Sequence, residues 1–184
     1  EVDEKYYIES ATFHDLANMF SLATFDETTG LYFIEKVEIP ASVEKMSGAT
    51  FGSELVTIKL DEENQNYCVE NGFILNSEKD RLVKCILTDT YVDNIKVPDT
   101  VEVIETYAFI GVNSGCVEIP SSVKEIAEYA FSGRFSGKDS GQDNFFSSAN
   151  NIKFSEGLET IGNCAFAGAY FEEIKLPNSL KTIG

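Results

Sequence analysis

The residues that could do chemistry in this chain are scattered. The one histidine, His14, has no partner at triad or metal-ligand spacing. Serines are many, but none sits in a G-x-S-x-G elbow, and no glycine run follows the dinucleotide or phosphate-loop patterns. The four cysteines, Cys68, Cys85, Cys116 and Cys164, form no C-x-x-C pair, and one histidine makes a Cys/His metal site a poor fit. Cys116 and Cys164 read as small core fillers. Cys68 and Cys85 flank what reads as a hairpin, so a disulfide between them stays open. Asp139, Asp143 and Asn144 could ligate calcium, yet the string Asp-Ser-Gly-Gln-Asp-Asn lacks the order of an EF-hand and its closing glutamate. Asp61, Glu62 and Glu63 read as a charged turn. With so many acids, carboxylate pairs are better explained as solvated faces than as a hydrolase dyad. Neither a metal, a cofactor nor an enzymatic activity is expected.

Two other groups of residues point to recognition. Six alternating segments each expose one charged residue: Glu38, Lys59, Lys96, Glu118, Lys153 and Lys175. Four of the chain's 14 basic residues therefore share one column, although the chain has 31 acids and a net charge of −17. The column is either a cross-strand ladder or a patch for an acidic partner. Aromatic residues form the second group. Phe135, Phe145 and Phe146 sit in or beside a Gly/Ser-rich stretch, and Tyr170 and Phe171 stand at the corresponding corner one turn on; such side chains suit interfaces, or anchor a loop.

What positions these residues is a repeat. Pro98 and Pro120 are 22 residues apart, as are Ser155 and Pro177, where Ser155 takes the proline's place. Three positions after each anchor stands an aliphatic (Val101, Val123, Leu158, Leu180), and six positions after it an isoleucine (Ile104, Ile126, Ile161, Ile183). An Ala-Phe pair follows at Ala108-Phe109, Ala130-Phe131 and Ala165-Phe166. An earlier copy starts at Pro40, with Val43, Met46, Ala49 and Phe51. A period of this length marks a solenoid, whose turns bury their apolar faces only by stacking.

Each turn opens with an apolar–charged–apolar stretch, such as Ile95-Lys96-Val97 or Val117-Glu118-Ile119. Period two predicts a half-buried strand. Proline ends it, since it has no N–H to continue a ladder. The six strands are expected to join in one parallel sheet, with the two aliphatics pointing inward and the Ala-Phe pair closing the turn. Glycines after that pair (Gly52, Gly111, Gly133, Gly168) suit a tight corner. Between Leu60 and Ile95, the Asn71-Gly72 turn and its apolar flanks predict a small β-meander.

The expected organisation is a degraded turn or cap over 1–36 and a solenoid over 37–184. Two insertions interrupt the solenoid: the meander at 61–93 and the Gly/Ser-rich loop at 132–150. No apolar run approaches the ~18 residues of a membrane span. The negative surface disfavours nucleic acid and anionic headgroups and favours neutral or basic partners. The chain reads as a mature segment or an expressed piece, with targeting information outside it. Leu180 and Ile183 would leave an apolar patch unless another segment caps them.

The motif I-x-[IV]-P-x-x-V-x-x-I-x-x-x-A-F-x-G resembles the BspA-like, or Treponema pallidum type, leucine-rich repeats. The segment Asn66-Tyr67 … Asn71-Gly72-Phe73-Ile74-Leu75 resembles a module common in that family. The resemblance covers about residues 37 to 184 and is broken at Asp61, at Ser155 and before residue 37. It implies a β-rich α/β solenoid, a right-handed leucine-rich-repeat stack of about six turns. It also implies a cell-surface or secreted protein of the kind found in gut or oral bacteria. Such a protein adheres to protein ligands, host extracellular or cell-surface proteins among them, without enzymatic chemistry. A carbohydrate-binding module and a spacer within a larger surface protein are the alternatives.

Overall fold

The computed structural model describes residues 23–26, 31–34, 36–48, 57–87, 91–132, 148–169 and 173–184. Every regular element among them is a strand, so the helical share of the expected α/β class is not found there. In chain order the strands are β1 (Ala23–Asp26), β2 (Leu31–Ile34), β3 (Lys36–Ile39), β4 (Thr57–Leu60), β5 (Tyr67–Glu70), β6 (Phe73–Asn76), β7 (Arg81–Cys85), β8 (Ile95–Lys96), β9 (Val103–Ile104), β10 (Asn113–Ile119), β11 (Glu125–Ile126), β12 (Ser148–Phe154), β13 (Thr160–Ile161), β14 (Glu173–Lys175) and β15 (Thr182–Ile183).

The repeat becomes two parallel ladders running side by side. Strands just before the anchor form β14-β12-β10-β8. Strands just after it form β15-β13-β11-β9, extended by β7, β6 and β5. In the first ladder Ile95, Val117 and Ile152 are in register, with Ile174 beyond them. In the second, Leu82, Ile104, Ile126, Ile161 and Ile183 are in register. All of these side chains except Ile174 and Ile183, with Val101, Val123 and Leu158, form one continuous core. Each fully buried Ile, Leu or Val contributes roughly 1.5–3 kcal/mol.

Local chemistry explains the turn between the ladders. The N–H of Val101, Val123 and Leu180 donates to the carbonyl of the proline three residues earlier, at 3.1, 3.2 and 3.3 Å. That β-turn swings the aliphatic inward. Where the anchor is not proline, its N–H extends the ladder: Asp61 donates to the Ile39 carbonyl at 2.9 Å and Ser155 to that of Ile119 at 3.0 Å. Beyond Ser155, the Glu156 carboxylate clips the next turn. It accepts from the backbone N–H of Asn178 (3.1 Å) and Ser179 (2.9 Å) and from the Asn178 amide (3.1 Å). These hydrogen bonds hold the Glu156 carboxyl below the usual carboxylate range, against the opposing pull of desolvation.

The Ala-Phe corners make a third ladder. Phe109 N–H donates to the Ala130 carbonyl (2.8 Å) and Phe131 N–H to that of Ala165 (2.7 Å). The rings stack in consequence: Phe109 on Phe131 at 4.4 Å and Phe131 on Phe166 at 5.2 Å between centroids, with Phe73 edge-on to Phe109 at 6.5 Å. The residue before each alanine adopts a left-handed backbone: Tyr107 (φ 59°), Tyr129 (φ 55°) and Cys164 (φ 53°). That conformation is uncommon without glycine, and the corner hydrogen bonds enforce it.

Two expectations are corrected, and the open question of a Cys68–Cys85 disulfide is answered. Among the described residues the six anchor strands do not form one sheet, because β3 and β4 pair with each other and with no other described strand. The strands β5–β7, which follow Asp61, extend the second ladder at this end, and no hydrogen bonding joins β4 to β8. Cys164 is exposed, not a core filler, because the left-handed corner turns it outward, and Cys116 is only half-buried. Cys68 and Cys85 are free thiols. β6 lies between their strands, so two strand spacings of about 4.8 Å separate them, beyond disulfide reach. At the chain's C-terminal end Ile183 is 61% exposed and Ile174 and Leu176 are also exposed, while Leu180 packs partly on the core. The hairpin β1–β2 is antiparallel; it was not foreseen in the degraded first turn.

Two outcomes follow. Phe109→Ala, at the centre of the ring stack, should lower the unfolding free energy by about 3–5 kcal/mol, and Ile104→Val by about 0.5–1.5 kcal/mol, in urea titrations. Glu156→Gln should be less stable than the parent at neutral pH. Because the folded carboxyl has a lowered pKa, its stabilisation is complete above the unfolded value and lost as pH falls through the folded one. The gap in melting temperature should therefore shrink as pH drops from about 7 to about 3.

Candidate interaction surface

The outward residue of each anchor strand lies between two apolar residues, both buried around Lys96 and Glu118, so the column of charges is set by strand period. In the four-stranded sheet the order is Lys96, Glu118, Lys153, Lys175, each in register with the next. Glu118 stands between two lysines, 3.7 Å from Lys96 Nζ and 3.6 Å from Lys153 Nζ. Desolvation pushes the Glu118 carboxyl up, but a hydrogen bond with Asn94 and the two lysines outweigh it and hold the carboxyl below its ordinary range. The column pairs across strands at Glu118, and it carries three lysines to one glutamate. Glu38 and Lys59 are in register on β3 and β4, apart from the other four.

A second column contrasts with it. Glu102, Lys124, Glu159 and Lys181 follow one another turn by turn through backbone bonds of 2.8, 2.9 and 2.9 Å. Lys181 Nζ is 2.8 Å from Glu159. Here the signs alternate throughout, so this ladder balances itself, whereas the first ends in two adjacent lysines.

Other candidates resolve as follows. Glu38, Lys59, Asp61, Glu62 and Glu63, with Ile39, Pro40 and Leu60, line a depression of about 680 Å³. Its polar groups come from two strands and one turn, and no group of three His, Cys, Asp or Glu suited to a metal ion occurs among the described residues. Phe135, Phe145 and Phe146, the Asp139, Asp143 and Asn144 string, His14, Tyr170 and Phe171 lie outside the described residues. Tyr107 and Tyr129 stack at 5.4 Å on the left-handed corners, half-buried. Sequence reasoning missed that pair; its signal was an aromatic just before Ala-Phe in two consecutive copies.

Sequence reasoning also missed Lys84, which is 1% exposed. Cys85 N–H donates to the Ala108 carbonyl at 2.8 Å, as Phe109 does to Ala130. Lys84-Cys85 thus hold the place of an Ala-Phe pair. The Lys84 Nζ donates to the Ile110 carbonyl at 3.0 Å. The meander displaced this turn from the repeat offsets, which hid the correspondence.

Comparison with known proteins agrees with the geometry. Residues 82–139 and 141–184 match the BspA type leucine rich repeat region, in six copies. No curated protein matches the chain. Among solved structures, the pneumococcal vaccine antigen PcpA superposes with a TM-score of 0.65 at 21% identity, over 82% of this chain and 35% of that one. A leucine rich cell surface protein from Faecalibacterium prausnitzii A2-165 superposes with a TM-score of 0.65 at 23% identity, over 82% of this chain and 38% of that one. The chain thus spans little more than a third of either, and the likeness is one of fold.

Glu118→Lys would make the four-stranded sheet's column positive throughout. Directly opposed like charges destabilise a sheet, so the variant should melt below the parent in dilute buffer. The difference should narrow near 1 M salt, where the screening length falls to about 3 Å. A difference that salt leaves unchanged would assign Glu118 a packing role instead of a charge role.

Proposed function

Because the chain belongs to the BspA type leucine-rich repeat family, we propose that it is a non-enzymatic recognition surface of a cell-surface or secreted bacterial protein, binding a protein ligand by the outer face of its four-stranded sheet. The host's extracellular or cell-surface proteins supply the partner class, and adhesion is the role. The observation that carries the reading is the column Lys96, Glu118, Lys153 and Lys175, a basic stripe on a chain of net charge −17. Such a stripe orients an acidic partner surface on an otherwise repelling molecule. The described parts of the fold favour recognition over catalysis, since stacked turns repeat like residues in columns, whereas catalysis gathers unlike groups at one point.

In this reading residues 37–184 form a right-handed solenoid of about six turns. Residues 61–93 carry the meander and 132–150 an inserted loop, while 1–36 form an atypical first turn. Glu38 and Lys59 extend the recognition face on β3–β4. Phe135, Phe145 and Phe146 are a second proposed contact, aromatic in character.

The test is a screen of the immobilised chain against an array of extracellular proteins and an array of glycans. Saturable binding to acidic proteins is expected. Lys96→Glu with Lys153→Glu should weaken it at least ~10-fold, as two contacts worth about 1 kcal/mol each would, with an unchanged circular-dichroism spectrum. Binding that the double variant leaves intact would remove the stripe from the interface. A signal on glycans alone would replace the protein-ligand reading by a carbohydrate-binding one.

A further inference from the structure

The outer face of the four-stranded sheet carries its charges at fixed intervals. Lys96, Glu118, Lys153 and Lys175 occupy successive rungs, one per strand, each in register with the next. Neighbouring strands lie about 4.8 Å apart, so from Lys96 the other rungs stand at about 4.8, 9.6 and 14.4 Å. Along that line the charges run plus, minus, plus, plus. The Lys96 and Lys153 side chains are 74% and 67% exposed, and Lys175 is exposed as well. Both Lys96 and Lys153 meet Glu118, but exposed ion pairs hold weakly, and a partner's carboxylates compete for the same amines.

The flanks of the row bear on the partner's shape. Two residues after the rungs stand Pro98, Pro120, Ser155 and Pro177, none of them charged. The three prolines are half-buried and offer apolar footing beside the charges. Two residues before the rungs stand Asn94, Cys116, Asn151 and Glu173, charged only at the last. The charged feature is therefore a single line across the strands, and a single line of partner side chains answers it.

An α-helix laid along that line has the right interval. Its residues i, i+3, i+7 and i+10 share one stripe, the last three at about 4.5, 10.5 and 15.0 Å from the first. Each falls within about 1 Å of a rung. An extended peptide in the same place repeats a face every ~6.6 Å, so its second outward residue falls between Glu118 and Lys153.

We propose that the segment this face reads is a partner's α-helix crossing the strands. It carries carboxylates at i, i+7 and i+10 and a basic or neutral residue at i+3. Running the other way, it carries carboxylates at i, i+3 and i+10 and the basic or neutral residue at i+7. The inference rests on the recognition reading above and adds the form of the partner to it. Matching charges set the register, as they do between paired helices, and the prolines receive apolar residues from the adjoining row of the helix.

Labelled peptides bound to the full chain in dilute buffer, followed by fluorescence anisotropy, test this. The matched peptide has Glu at i, i+7 and i+10 and Lys at i+3 in an alanine-rich helical host. The permuted peptide has the same composition with the lysine at i, which opposes like charges at two rungs in either direction. The matched peptide should bind at least ~10-fold tighter. Lys153→Glu, with an unchanged circular-dichroism spectrum, should instead prefer a peptide with Lys at both i+3 and i+7. Equal binding of matched and permuted peptides would overturn the helix and leave recognition of acidic partners standing. Undiminished binding of a matched peptide broken by two central prolines would do the same. Failure of both peptides while acidic proteins bind through the stripe also overturns it. Failure of acidic proteins as well would take down the recognition reading itself.

Discussion

Register between turns is the constraint on which this molecule rests. One coil of about 22 residues has too little interior to bury its own aliphatic residues. Hydrogen bonding of Ile104 to Ile126 to Ile161 turns each coil into the lid of the one before. The phenylalanine rings repeat the lesson at the corner, where Phe109, Phe131 and Phe166 stack because the backbone beside them is already bonded. Insertions are tolerated only where both flanks can rejoin a ladder. The meander meets that condition: Asp61 bonds to Ile39 before it, and Leu82 pairs with Ile104 after it. Its consequence is the break between β4 and β8, since the added strands lengthen one ladder and not the other.

Much of this was legible because the repeat expresses it in residue types. Proline marks the end of a strand through a missing N–H. The aliphatics three and six positions later are required by the β-turn and the second ladder. What was not legible was conformational or displaced. Nothing in Tyr107, Tyr129 or Cys164 announces a left-handed backbone; glycine would have, and these residues accept it because the corner bonds on either side compel it. That is also why Cys164, adjacent to an alanine that is buried, turned out exposed. Lys84 was hidden for another reason. The 15 extra positions between Asp61 and Leu82, relative to Pro98 and Ile104, removed the offsets by which its place in the alanine column could be recognised.

The charged column was legible as a column but not as an arrangement. Period two identifies which residues face outward. It does not say that Glu118 sits between two lysines while Lys153 and Lys175 adjoin. That order depends on which strands pair, and Glu38 and Lys59 left the series when the sheet divided. The contrast with Glu102, Lys124, Glu159 and Lys181 matters here. Both columns are built by the same stacking, so a simple need for cross-strand pairing would give both the same alternation. Only the second has it.

Stacking therefore acts on the inside and the outside of each coil at once. Inside, identical positions must be alike, because a ring or an isoleucine is covered by its own counterpart. Outside, identical positions are forced into contact without being forced to match, and a departure from charge alternation costs little at an exposed site. Variation accumulates where it is cheap, on the strand faces and in the inserted segments. Lys84 is the exception that tests the rule, since it places a variable-looking residue in the inner column. Its amine is met there by the Ile110 carbonyl at 3.0 Å, so a polar group enters the inner column where a backbone acceptor receives it.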